Sequence, residues 1–358
     1  MAEREIQRIA VHLITFANHK ARYRIKKMGL DVPDLVHMNH HDLSVYGFTP
    51  RDIKSIKYDY GRIAENEIEK CRRHGIEFIF KEDSCYPGLL SEIFDPPDFL
   101  YIKGEKTILK TEKIAVVGSR RATAYGKSVL NRILPDLCMA GITIVSGMAY
   151  GIDSISHRIA VRESGKTIGV NAGGVLHLYP SGNRSTIRDV LENGCIISEF
   201  PLDTFPRPFF FPVRNRIIAG ISRAVLVIEA AKKSGSLVTA RLAIEQNRDV
   251  FAVPGPIHSP QSEGTNELIS QGAKLIGSAR DVLEEYGLKS GIGSGHLRVD
   301  ITPKEKMLLD LMGQSEVKNI DYFVEHVDFS VSEIISLLMG MTLRNIVVEE
   351  EGGFRRLV

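Results

Sequence analysis

From Ile114 to Gly255 the chain repeats one pattern: a short, nearly unbroken apolar run ending in glycine, serine or an acid, followed by a helical stretch. The runs are IAVVG (114–118), ITIVSG (142–147), TIGVNAGG (167–174), CIISEF (195–200), AVLVIEA (224–230) and DVFAVPG (249–255). A strand that is apolar on both faces must be covered on both faces, and helices between such strands supply the cover. The pattern therefore predicts a doubly wound α/β domain with a mainly parallel sheet. Parallel strands bring every strand-to-helix turn to one edge of the sheet, where such folds bind ligands. Ser185 as N-cap and Gly194 as stop predict a helix over 185–193. Pro135, inside the helix after the first of these strands, predicts a kink or an early end.

The flanks read differently. Ile6, Ile9, Leu13 and Phe16, and again Ile53, Ile56, Tyr60 and Ile63, show a helical period, so residues 1–75 form a small helical domain. A bridge with Tyr86-Pro87 and Asp95-Pro96-Pro97 leads to a short strand, FLYIKG, and the α/β domain takes residues 76–287. Residues 288–299 fall in a Gly/Ser-rich stretch that reads as a flexible linker. In 300–358, Thr302-Pro303 opens a helix, and a later helix is followed by two strands around EEEGG. Helices followed by a hairpin are winged-helix-like, although Glu349, Glu350 and Glu351 sit where a DNA-contacting wing would be positive.

Composition excludes more than it assigns. A chain of 358 residues is too long for a single core. Its 4 cysteines show no CxxC spacing, which argues against zinc and against a disulfide framework. His37, His40 and His41 have no cysteine or carboxylate at ligand spacing and read as solvated, so no metal and no cofactor is expected. No apolar run is long enough to span a bilayer and the first residues are charged, so a cytoplasmic protein without a membrane partner is expected. Net charge is +2, so a nucleic-acid site must come from local clustering.

Such clustering is present at the predicted ligand edge. In VVGSRRATAYGKS, Gly118, Ser119 and Arg120 form a turn at a helix N-terminus. It is neither a Walker loop, because Arg121 stands where glycine is needed, nor a GxGxxG fingerprint. GGVLHLYPSGNR brings Tyr179, Asn183 and Arg184, and AKKSGSLVTAR opens a helix with Lys232, Lys233, Ser234, Gly235 and Ser236. Beside these turns lies FPLDTFPRPFFFPVRNRIIAG (200–220), whose prolines predict a stiff surface loop over 201–212. Phe209, Phe210 and Phe211 are followed there by Arg214, Asn215 and Arg216. Rings beside guanidiniums suit a partner made of bases and phosphates, although three rings plugging a core is an equally ordinary use of phenylalanine. Anion-ready turns along one edge form a strip, which fits a polymer of phosphates.

Catalytic signals are weak. Asp153 and His157 stand one helical turn apart, but a nucleophile with a partner and a metal set are both missing, so no catalytic residue is assigned. Glu199 and Glu229 are the reserve acids at the binding edge. A nucleotide phosphoribohydrolase of the lysine-decarboxylase-like group is the rival. It would carry PGGxGTxxE, whereas GSLVTARLAIE has no acid between Thr239 and Glu245. A protein-interaction scaffold would require the basic strip to be incidental.

GSR (118–120) with YG (125–126), SGxAxGID with His157, YPxxN (179–183), SEFP, FPxRNRIIAG, EAxxxSGSLxTA and VFAVPG follow one another as in the bacterial DNA-processing protein A family (DprA/Smf). The resemblance covers roughly Tyr86 to Ala273. It implies an extended Rossmann-like fold with a SAM-like helical N-terminal domain and often a C-terminal winged helix. It also implies a non-catalytic protein that binds single-stranded DNA and loads the RecA recombinase in natural transformation. Carried over residue by residue, it implies Arg120 and Arg184 as phosphate ligands and Phe211 as a stacking ring beside Arg214, Asn215 and Arg216. Lys233 and Gly235 follow from KSGS, and a homodimer through Ile269 and Leu275 follows from NELISQGAKLI. Two motifs depart from the family pattern. Val175, Leu176 and His177 replace GLD, and Tyr150 replaces arginine, removing a charge and offering a ring.

Overall fold

The computed structural model describes residues 3–16, 18–27, 34–178, 184–288, 302–313, 317–343, 346–350 and 352–356. The chain divides into two compact units, Met1–Ser290 and Gly291–Val358. The first is built on strands β1 (Ile76–Phe80), β2 (Phe99–Gly104), β3 (Lys113–Val117), β4 (Thr143–Gly147), β5 (Thr167–Val170), β6 (Gly194–Ser198), β7 (Ala224–Val227), β8 (Asp249–Ala252) and β9 (Lys274–Leu275). They form one sheet in the order β1-β2-β6-β5-β4-β3-β7-β8-β9. β1 and β2 pair antiparallel, as do β2 and β6, and the remaining pairs are parallel. The winding reverses between β3 and β7, and at such a switch point a crevice opens outside the carboxyl ends of the strands.

The two-residue period of the strands explains the layers. Ala115, Val117, Val145, Ile168, Val225 and Val227 face Ile217 and Ile218 of one helix and Ala240 and Ala243 of another. Their strand neighbours Ile114, Val116, Ile144, Ala224 and Leu226 face the opposite helical layer, with Leu130, Ile133, Leu134, Leu137 and Ile159. Both faces are buried, as the unbroken apolar runs require.

The helices used below are α1 (Glu3–Thr15), α2 (Tyr60–Arg73), α3 (Ala124–Met139), α4 (Ile152–Arg162), α5 (Arg184–Asn193), α6 (Phe210–Gly220), α7 (Gly235–Glu245) and α8 (Glu263–Ser270). Three expectations are corrected. α3 does not end early at Pro135 but runs on to Met139, because buried Leu130, Ile133, Leu134 and Leu137 hold that segment against the sheet. α5 begins at Arg184, so Ser185 lies inside it. Pro212 is not in a loop but in the first turn of α6, where a missing N–H breaks no intrahelical bond. β1 and β9 were not read from the sequence.

The N-terminal helices pack on the β1–β2 end of the sheet. Arg8 donates to Asp98 (2.6 Å) and to Glu82 (2.7 Å), and the ring of His12 lies 4.8 Å from that of Phe99. Glu67 of α2 is buried and accepts from the Tyr101 hydroxyl (3.0 Å) and from the Leu202 backbone (2.9 Å). Phe16 reaches Phe200 and Phe210 at centroid distances of 5.5 and 5.8 Å. The helical domain thus touches the segment that leads into α6.

The second unit contains helices Pro303–Asp310, Ile320–His326 and Val331–Leu343 around Leu308, Phe323, Ile334, Leu338 and Phe354. Thr302 and Glu305 form a capping box at the start of the first helix, as Thr302-Pro303 predicts. Strands Val317–Lys318, Val347–Glu350 and Gly353–Arg356 form a small antiparallel sheet. Glu350 pairs with Arg355 across the hairpin (2.6 Å), which neutralises part of its acidic charge. The predicted linker falls mainly on residues outside those described.

Candidate functional site

The turns after β5, β4, β3 and β7 lie side by side at the carboxyl edge of the sheet, and their side chains interlock. The turn after β3 is closed by Ser119, whose hydroxyl accepts from the Arg121 N–H at 3.1 Å. Gly118 is packed against Ile152 and the Glu229 carbonyl, so it shapes the turn rather than opening it. Thr123 caps α3, and its N–H donates to Glu229 Oε2 at 3.0 Å. Glu229, a reserve acid by sequence, is a buried carboxylate that ties the turn after β7 to the turn after β3. At the start of α7, Ser234 accepts from the Ser236 N–H (3.3 Å). Lys232, Lys233 and Gly235 are exposed there, while Ser236 is buried.

Arg120 is exposed, and its guanidinium carbon lies 5.0 Å from the centre of the Phe211 ring. Arg214 approaches the same ring at 5.8 Å. The two arginines are not alike. Arg214 is 4% exposed, and its guanidinium donates to the Val170 carbonyl and to Asn215 Oδ1 (Nε, 3.1 Å). It shares the space above Gly147 with Asp153, since any Cβ at Gly147 would collide with the Asp153 carboxylate and with both terminal nitrogens of Arg214. Burial lowers the Arg214 pKa to about 10, against the attraction of Asp153 and together with the repulsion of Arg120. Burial raises the Asp153 pKa, with Arg214 pulling the other way. Arg214 thus stands beside Phe211 as expected, but buried together with Asn215 rather than exposed, and the helical period takes Arg216 elsewhere. Arg214 and Asn215 form the floor under Phe211, and Arg216 turns to the opposite side, where it pairs with buried Glu199 and approaches Asp95 (3.8 Å).

Asp153 and His157 do not pair. Asp153 accepts from the Ala149 N–H at 3.4 Å, whereas His157 is fully buried between the Gly147 carbonyl (Nε2, 2.9 Å) and the Thr167 hydroxyl (Nδ1, 2.7 Å). Nε2 faces a carbonyl and therefore carries the proton, while the single proton of the Thr167 hydroxyl is shared between Nδ1 and the Ile144 carbonyl at 2.9 Å. Burial lowers the His157 pKa to about 4. The unfolded chain, with an ordinary histidine near 6.5, binds more protons between the two values, so stability rises with pH across that window and is lost as pH falls through it. Urea unfolding is expected to lose up to about 3 kcal/mol from this group between neutral pH and pH 4. The rise of the Asp153 pKa acts in the opposite sense at the acid end. His157→Gln should flatten the slope between pH 7 and pH 5; an unchanged slope would assign the titration to another group.

The three rings divide. Phe210 packs with Phe200 (4.7 Å) in the core, Phe209 is 53% exposed, and Phe211 lies over the edge between the two arginines. The neighbouring loop is tied down: Asn171 donates to the carbonyls of Gly173 (2.9 Å) and Gly174 (3.0 Å), and the His177 ring lies 3.9 Å from that of Phe205, tilted by 32°. Tyr179 and Asn183 lie outside the described residues, as does the side chain of Arg184, whose backbone opens α5. Ile269 on α8 is half-buried and Leu275 on β9 is exposed, at the β8–β9 end of the sheet. Sequence reasoning named Asp153 and Phe16 without the roles they take here, Asp153 beside His157 and Phe16 as the last residue of an apolar helical stripe, and it missed Val170. Among the described residues no group of His, Cys, Asp and Glu is placed to hold a metal ion, and no helix is long and apolar enough to cross a membrane.

Residues 77–287 match the family of DNA recombination-mediator protein A. DNA processing protein DprA of Bacillus subtilis is 46% identical over 215 residues, which is 60% of this chain and 72% of that protein. Protein Smf of Escherichia coli is 38% identical over 286 residues, 77% of this chain and 76% of its own. The X-ray structure of DprA from Streptococcus pneumoniae matches with a TM-score of 0.62 at 35% identity, over 74% of this chain and 91% of that one. A structure of DNA processing protein A from Helicobacter pylori, described for its single-stranded DNA binding mode, matches with a TM-score of 0.54 at 32% identity, over 59% and 95%. The family match spans the whole sheet edge on which GSR and FPxRNR meet, and the chain belongs to the DNA-processing protein A (DprA/Smf) family.

Proposed function

We propose that this chain binds single-stranded DNA without catalysis, protects incoming strands and loads RecA recombinase in natural transformation and recombination. The observation that carries the reading is the Phe211 ring held at the switch point of the sheet beneath the exposed guanidinium of Arg120. A base stacks on the ring, phosphates meet Arg120 and the backbone turn at Ser119, and the strip continues to Lys233, Gly235 and Ser236 on one side and Arg184 on the other. The Helicobacter pylori relative, described as a single-strand binder, supports the same ligand here. Glu199 and Glu229 are engaged as structural carboxylates, which agrees with a binding rather than a hydrolytic role. The protein works in the cytoplasm as a homodimer through Ile269 and Leu275, with four parts: 1–75, 76–287, a linker over 288–299, and a winged-helix-like domain over 300–358.

Unpaired strands should bind roughly tenfold or more tightly than duplex of equal length, because a base must leave its partner to meet an aromatic face. Affinity should fall steeply with salt as counterions are released. Fluorescence anisotropy with single-stranded and duplex oligonucleotides at several salt concentrations measures both. Equal affinity for duplex, or a flat salt dependence, would remove this function.

A further inference from the structure

Tyr150 is an aromatic side chain left 48% exposed on the turn that joins β4 to α4, although its neighbours Met148, Ala149 and Ile152 are buried. The turn is rigid. Gly151 has φ +77°, and a Cβ there would collide with the main chain of Ser119 and Arg120. The Ile152 N–H donates to the Ser119 carbonyl at 3.1 Å. The residue after Tyr150 is thus pressed against the backbone of Arg120, while the side chain of Arg120 extends over the ring of Phe211 at 5.0 Å. Arg120 spans the distance from the turn of one exposed ring to the face of another.

We propose that Tyr150 forms a second stacking subsite, for the unpaired nucleobase next to the one held by Phe211. The inference rests on the single-strand reading given above. A dinucleotide presents a base, a phosphate and a base in succession, and here the turn that carries Tyr150 is packed on the backbone of Arg120, whose guanidinium lies over Phe211. Base–aromatic stacking tolerates any base, because each has a π-face, and it needs a ring held without much freedom on a charged path. The turn at Gly151 fixes the backbone from which the Tyr150 ring projects, and an exposed ring there contributes little to the core.

Tyr150→Ala, Tyr150→Phe and Tyr150→Trp separate the possibilities, measured on oligo-dT by anisotropy across a salt series. Stacking on one ring corresponds to roughly a tenfold loss of affinity on truncation to alanine. Tyr150→Ala is expected to show that loss with the salt slope unchanged, since no phosphate contact is removed. Tyr150→Phe should bind like the wild type. The chain contains no tryptophan, so Tyr150→Trp places a single indole in the subsite, and its emission should be quenched in step with saturation. Wild-type affinity in Tyr150→Ala, or indole emission indifferent to saturating oligonucleotide, would overturn the subsite while leaving the function in place. A wild-type protein that does not bind oligo-dT at all would instead overturn the function itself, and the subsite with it.

Discussion

Arg214→Met is expected to lower the stability of the first unit by about 3 kcal/mol, with a fall in Tm of several degrees and a loss of DNA binding that follows the loss of structure. The guanidinium satisfies the Val170 carbonyl and Asn215 Oδ1 in a buried site and offsets the carboxylate of Asp153 above Gly147. Methionine fills the volume but leaves those acceptors unpaired and a buried acid without its counter-charge, which is more costly than the hydrogen bonds alone. Asp153→Asn in the same background should recover part of the loss by removing the stranded charge. Arg120→Ala is the opposite case. Its guanidinium is exposed over the Phe211 ring, so stability should stay within about 0.5 kcal/mol of wild type while affinity for single strands falls about tenfold. Thermal melts and anisotropy on the two variants decide the assignment. If Arg214→Met melted like the wild type yet bound poorly, its guanidinium would belong to the ligand and not to the floor of the site.

This contrast between two arginines shows where a linear reading reaches its limit. Strands β3 to β8 were legible because a strand buried on both faces writes that burial into every residue, as VVG and VLVIEA do. β1 was missed because IEFIF is only five residues long, directly behind a helix, with neither a strict alternation nor an unbroken apolar run, and β9 contributes only two. The turn chemistry at Ser119, Ser234 and Gly235 was visible because a strand end, small residues and a helix start stand in succession. The run from Phe209 to Arg216 was not, because its prolines suggest a loop while its geometry is helical from Phe210. A helix advances about 100° per residue, so three adjacent rings must point in three directions. Residues 211 and 214, three apart, share a face over the sheet edge, and Arg216 is carried away to Glu199. The long-range supports, Val170 and Phe16, depend on which elements become neighbours in space, and local pattern carries no record of that.

Leu275→Glu is expected to convert the protein to a folded monomer, with little change in affinity for short oligonucleotides and a loss of roughly a hundredfold or more on long strands. Leu275 lies on β9, the last strand of the sheet, and is 48% exposed, so the proposed dimer would cover it. Ile269, on the adjoining helix α8, is half-buried beside Leu268, which packs on the core. Ile269→Glu would therefore disturb packing as well as assembly, which makes Leu275 the cleaner site. In a two-fold dimer each patch meets its own copy, so one glutamate per chain places two carboxylates in a single desolvated interface. The proposed binding strip of each copy would remain intact in the monomer, since Arg120 and Phe211 lie on other turns of the sheet edge. Only the linkage between strips is lost, and that linkage acts on a strand long enough to reach both. Sedimentation and titration with short and long single strands test the two halves separately. A wild type that sediments as a monomer, or a Leu275→Glu variant that remains dimeric, would move the interface away from β9. A monomeric variant with full affinity for long strands would show that the two strips do not share one DNA molecule.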